Sequence, residues 1–184
     1  ASLPDQAIEV YGPPPTSGTR DAFVELAMEK ACEQFGEFTK LYADEKERKK
    51  ACHLIREDGK YIESGEDDNI IVQKLASNDK ALGILGYSFF EENASKIQAN
   101  KLEAIVPSAE SIETKKYPLS RSLYIYIKAQ HVGKIPGLAE FANEVVSESA
   151  TGTNGYITAK GLLPLSSGER SAALEKAGSV LKKK

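Results

Sequence analysis

Ser17, Gly18, Thr19 and Arg20 are the residues of this chain best placed to do chemistry. They follow Tyr11-Gly12-Pro13-Pro14-Pro15-Thr16 and lead into Asp21. The stretch joins a short apolar run, with Ile8 and Val10, to a strongly periodic helical segment. The start of a helix offers about four backbone N–H groups without intrahelical acceptors, and the positive end of its dipole. Small residues let a ligand approach those groups, and the Ser17 and Thr19 hydroxyls add donors. Arg20 falls in the first turn, where the dipole disfavours a cation. An anion beside it would remove that conflict, and a guanidinium grips paired oxygens with two parallel hydrogen bonds. Thr16 and Asp21 flank this candidate anion cradle as weaker members. A plain N-cap accounts for the same residues: Ser or Thr before a helix is common, and Asp21 is the charge the dipole favours. Spacing alone favours that simpler account and leaves both open.

Other chemistry has less support. Cys52 and His53 adjoin, but no third ligand stands near them in sequence, so no metal site is expected. Ser17 as a nucleophile would need a base, and the only histidines are His53 and His131. No G-x-S-x-G elbow is present. Ala81-Leu82-Gly83-Ile84-Leu85-Gly86-Tyr87 lacks dinucleotide-fingerprint spacing. No catalytic residue, metal or cofactor is therefore assigned, and an enzyme built on Ser17 is not expected. An interaction module without an occupied anion loop is a further reading.

The elements that position the loop follow from periodicity. Residues 19–35 read as a helix with two apolar stripes, one through Phe23 and Leu26, the other through Val24 and Met28, ended by Gly36. Residues 44–56 read as a charged, solvated helix capped by Asp44. A short strand or extended loop at 60–63 precedes a turn whose last acid, Asp68, is placed to cap a helix over 69–77. Residues 81–87 read as a buried glycine-containing strand, 88–97 as a short helix, and 102–106 as a strand. Leu123, Ile125 and Ile127 alternate with Tyr124 and Tyr126, which predicts a strand over 122–128. Helical stretches follow at 137–147, around 155–160 and at 167–181, before a fraying Lys182-Lys183-Lys184 tail. Thr151-Gly152-Thr153 echoes Ser17-Gly18-Thr19, but no strand precedes it, and it reads as a turn between helices. Strands alternating with helices indicate an α/β lobe.

Composition sets the bounds. The 184 residues suit one domain or two small lobes, with 41% hydrophobic and 28% charged residues. A net charge of −3 implies no basic face for nucleic acid. No apolar run reaches membrane-spanning length. Ala1-Ser2-Leu3-Pro4 does not read as a signal peptide. Cys32 and Cys52 could pair in an exported protein or stay as buried thiols in a reducing compartment.

Thr16-Ser17-Gly18-Thr19-Arg20-Asp21-Ala22-Phe23 resembles the second-lobe ligand loop of the periplasmic phosphate-binding proteins of ABC transporters. Four further pieces fall in that family's order: Asp68–Gln73, Ala81–Tyr87, Tyr117–Leu123, and Gly155-Tyr156 through Gly161–Leu165. The resemblance runs from Ile8 to Leu165. It implies an α/β fold: a periplasmic-binding-protein type II lobe with a central mixed sheet flanked by helices, plus a helical C-terminal segment from the other lobe. The lobes would be residues 8–118 and 119–184. It implies inorganic phosphate bound by Ser17, Gly18, Thr19 and Arg20 in an interlobe cleft, delivery to a membrane permease, and a periplasmic location with the export signal removed. Pairing of Cys32 with Cys52 follows from that location. Sulfate or molybdate is the alternative ligand, because prolines at 13–15 stand where many members carry another Arg.

Only about fifteen residues precede the loop, so the resemblance implies a C-terminal portion without most of the first lobe, including its proton-accepting carboxylate. Helices lacking the sheet they normally cover would expose apolar surface and favour self-association.

Overall fold

A computed structural model describes residues 5–181, apart from the Val180 side chain. The expectations for Ala1–Pro4 and Lys182–Lys184 lie outside the described residues. The chain forms two compact units, one up to Ala104 and one from Ile105 onward.

The first unit is built on three short parallel strands in the order β2-β1-β3: β1 (Val10–Gly12), β2 (Tyr61–Glu63) and β3 (Leu82–Gly83). In register, Tyr11 lies beside Ile62 on one side and Gly83 on the other. The α/β class is as expected, but the sheet is smaller and wholly parallel among the described residues, not mixed. β1 leads into α1 (Gly18–Phe23), a π-helical turn at Val24–Glu29, and α2 (Lys30–Gln34). Backbone at both junctions stays helical, so the expected helix over 19–35 exists, with a wider middle turn. Gly36 does not stop it. Phe35, extended at ψ 97°, breaks the helix, and Gly36 opens α3 (Gly36–Leu41).

The charged helix is α4 (Glu45–Cys52), capped by Asp44, whose Oδ1 accepts from Glu47 N at 3.0 Å. Cys32 and Cys52 are joined in a disulfide between α2 and α4. The cap of α5 (Asp68–Ser77) is one residue earlier than expected. Asp67 accepts from Asn69 N at 2.9 Å, while Asp68 turns inward and is 6% exposed. Ile71 and Val72 of α5, with Val24 and Pro13, form the buried centre.

β3 is shorter than the expected strand over 81–87 and is not buried: Leu82 is 47% exposed. Parallel pairing to β1 covers only one of its edges. Gly83 is nonetheless needed, since a Cβ there would overlap the Leu75 side chain. Tyr87 starts α6 (Tyr87–Glu92). Residues 102–106 form a tight turn instead of a strand, with positive φ at Glu103 and Ala104.

The second unit holds α7 (Ala109–Glu113), α8 (Leu138–Val145), α9 (Glu148–Thr151) and α10 (Ser167–Leu181), with 3-10 turns at 129–131 and 158–160. Thr151 and Gly152 end α9 as a buried turn, as their pattern implies. Arg170 of α10 pairs with Glu148 of α9, and Lys115 with Glu169 at 2.8 Å. The expected strand at 122–128 does not form. A strand needs a partner for its backbone groups, and no described strand lies beside it.

Candidate functional site

All three strands point the same way, so the loops after β1, β2 and β3 share one edge of the sheet. β1 is central: the chain leaves it for β2 on one side and returns, through α5, to β3 on the other. Ligands of open parallel sheets bind outside the carboxyl ends of strands at such a reversal.

The loop after β1 is closed by Ser17 N donating to the Pro14 carbonyl at 3.0 Å. Ser17, buried at 7% exposure, is the N-cap of α1. Its Oγ accepts from Thr19 N at 3.2 Å, and its carbonyl accepts from Asp21 N at 3.1 Å. The capping role weighed from the sequence is therefore physically present, and it takes the Thr19 amide. Gly18 is exposed and Asp21 lies on the outer side of the first turn.

Arg20 does not reach into bulk water. Its side chain is 17% exposed, its Nη1 donates to Glu63 Oε1 at 2.8 Å, and its guanidinium lies 5.3 Å from the Tyr61 ring centroid. Both partners come from β2. Tyr61 is fixed in turn by its hydroxyl, which donates to the Pro13 carbonyl at 2.7 Å. Burial pushes the Tyr61 phenol up, against the pull of the Arg20 charge. The ring crosses the backbone at Gly12, where a Cβ would overlap it. Gly12 therefore makes room for the ring beside the guanidinium, and the Pro13 carbonyl anchors its hydroxyl.

The loop after β2 closes over the same edge. Ser64 N donates to the Gly12 carbonyl at 2.9 Å. Ser64 Oγ receives Lys74 Nζ at 3.0 Å, and the ammonium lies 5.2 Å from the Tyr11 ring centroid. Thr16 donates its hydroxyl hydrogen to Glu66. The loop after β3 is tied by Asp68 Oδ2, which accepts from Gly86 N at 2.7 Å. Burial raises the Asp68 carboxyl, the Gly86 hydrogen bond opposes this, and Asp67 and Glu66 add to it.

Ser17, Gly18, Thr19 and Arg20 are thus brought to one edge by one turn, with Thr16 and Asp21 on its flanks. Glu63, Tyr61, Ser64 and Lys74 join that edge although the sequence reading did not single them out. The alternation in Lys60–Ser64 indicates only a strand, and Lys74 only a place in the following helix; which strand end faces Arg20 depends on parallel pairing. The other histidine chemistry lies elsewhere: His53 Nε2 meets Glu29 Oε2 at 2.9 Å, and Lys49 meets Glu29 Oε1 at 2.9 Å. Lys49 first, then His53, holds the Glu29 carboxyl below its usual range. Among the described residues no group of three His, Cys, Asp or Glu side chains could hold a metal ion. No helix among them is long and apolar enough to cross a membrane.

Residues 1–149 match the family described as the PBP superfamily domain. The chain is 32% identical to Protein SphX of Synechocystis sp. over 162 residues, which is 84% of this chain and 41% of that protein. It is 28% identical to the phosphate-binding protein PstS of Staphylococcus saprophyticus, over 79% of this chain and 39% of the relative. The chain thus spans about two fifths of the length of these relatives. A solved structure of a possible phosphate binding protein from Planctomyces limnophilus superposes with a TM-score of 0.61 at 26% identity, covering 97% of this chain and 56% of that one. With a match over most of its length and a shared fold, the chain belongs to the PBP superfamily.

Proposed function

We propose that this chain carries the phosphate-gripping lobe of a substrate-binding component of an ABC importer. The observation that carries the reading is the small polar turn at the end of the central strand, with a guanidinium held beside it. The Ser17 and Thr19 hydroxyls stand at this turn beside Gly18, and Arg20 supplies the charge. Tyr61 and Glu63 hold the guanidinium in place beforehand, so that less side-chain freedom is lost on binding. A tetrahedral oxyanion at this edge would exchange water for charge-assisted hydrogen bonds. The relatives named as phosphate-binding proteins support phosphate as that anion. In the whole protein a second lobe would close over the anion, and the closed form would present it to a membrane permease. The reaction is capture and release, without covalent chemistry.

Export to the periplasm agrees with the Cys32–Cys52 bridge, since disulfides persist in oxidising compartments. The net charge of −3 supports no nucleic-acid partner.

Calorimetry of phosphate and of sulfate against the wild type and Arg20→Ala, at two salt concentrations, tests the reading. Phosphate is expected to bind, and loss of the charged donor to weaken it by about tenfold or more. Equal binding by Arg20→Ala removes Arg20 from the site. Sulfate binding more tightly than phosphate transfers the reading to another oxyanion.

A further inference from the structure

Acidic side chains hold both ends of the turn from Thr16 to Arg20. At one end, Arg20 Nη1 donates to Glu63 Oε1 at 2.8 Å. At the other, the Thr16 hydroxyl donates to Glu66. Both acids come from the end of β2 and the loop that follows it. That loop does not need them to stay in place, because Ser64 N already donates to the Gly12 carbonyl at 2.9 Å. Nor is Arg20 at liberty to leave Glu63 for a ligand. Its side chain is largely buried, and its guanidinium lies against the Tyr61 ring, which the Pro13 carbonyl anchors.

We propose that Glu63 is the charge filter of this site: it makes the turn accept a singly charged oxyanion in preference to a doubly charged one. The inference rests on the reading of the turn as an anion site. An anion drawn to Arg20 must use the N–H groups that Glu63 does not take. Two acceptors on one guanidinium lie within about 6 Å of each other. At a partly desolvated edge, the carboxylate therefore repels the bound anion, and the repulsion grows with each unit of ligand charge. The guanidinium offsets only one negative charge, and Glu63 already supplies that one. What remains to hold the ligand is a set of neutral hydroxyl and amide dipoles, which tolerate one charge better than two. Selection here comes from a repulsive group beside the attractive one. Gln at position 63 can accept the same hydrogen bond from Arg20 without the charge, so it separates the filter from mere positioning.

Calorimetry in mildly acidic buffer tests this, because phosphate is then mainly singly charged while sulfate stays doubly charged. The wild type is expected to prefer phosphate. In Glu63→Gln sulfate should bind more tightly, and the ratio of the two dissociation constants should shrink about tenfold. Glu63→Asp keeps the charge at that strand end and should hold the ratio within about threefold of the wild type. An unchanged ratio in Glu63→Gln, an equal loss of both anions, or Glu63→Asp behaving like Glu63→Gln would each overturn the filter alone. A wild type that binds neither anion, or binding unaltered in Arg20→Ala, would overturn the anion-site reading and the filter with it.

Discussion

Val10–Gly12 and residues 122–128 both carry strand-forming side chains, yet only the first becomes a strand. The longer and more regular segment is the one left unpaired. β1 has partners on both sides, Tyr61–Glu63 and Leu82–Gly83, and its loop is packed beneath Tyr61. Residues 122–128 have no described strand beside them, so Tyr126 is 91% exposed. Strand propensity measures how well a residue fits a pleated, half-buried surface, and that surface must be provided by something else. Three residues between two neighbours therefore outweigh seven with none.

The comparison breaks most sharply at the centre of the first unit. Ile71 has no exposed surface, and Ile71→Ala should cost about 2–5 kcal/mol by urea denaturation, because transfer energy is lost and a cavity remains. A loss under about 0.5 kcal/mol would mean that this packing is not what holds β1 in place. Next comes the staple between α2 and α4. Replacing Cys32 and Cys52 together by Ser should cost about 3 kcal/mol, given the sequence separation of 20. Hydrogen exchange should show the loss in the first unit and spare α8 and α10.

Gly12→Ala probes the anion edge itself. The new Cβ would displace Tyr61 from the Pro13 carbonyl, costing about 1–3 kcal/mol. It would also release the ring beneath Arg20, so phosphate titrations should weaken with it. Unchanged stability and binding would show that Tyr61 does not position the guanidinium.

Asp68 gives a pH test of smaller size. Its carboxyl is raised in the folded chain, chiefly by burial, so the folded state holds its proton to higher pH than the unfolded state. For this group, stability is greatest below the unfolded value and falls as pH rises through the carboxylate range. Asp68→Asn should flatten that fall in denaturation curves taken at several pH values, and an unaltered slope would contradict the assignment. The smallest effect belongs to the unpaired segment. In dilute solution Tyr126→Ser should change stability by no more than about 0.5 kcal/mol, since the side chain packs against almost nothing. A loss comparable to Ile71→Ala would place 122–128 inside a core.

Local chemistry made much of the fold legible beforehand. Asp44 caps α4 and Asn78 ends α5, because caps and breakers act on groups a few residues away. The π turn inside the first helix and the shift of the α5 cap from Asp68 to Asp67 carried no such signal. Two adjacent aspartates are equally good caps in sequence. The Gly86 amide, eighteen residues on, draws Asp68 inward and leaves the cap to Asp67.

The same division holds at the candidate site. The order of residues alone favoured a Ser or Thr cap on a helix after a short strand, and put Arg20 in its first turn, since both are matters of near-neighbour geometry. Only the tertiary structure decided what Arg20 meets. Parallel pairing of β1 with β2 brings Tyr61 and Glu63 to the guanidinium across 41 and 43 positions of chain. Nor does any described strand lie beside 122–128. Both outcomes turn on which backbones lie side by side, and backbone hydrogen bonding is blind to the side chains by which a sequence is read.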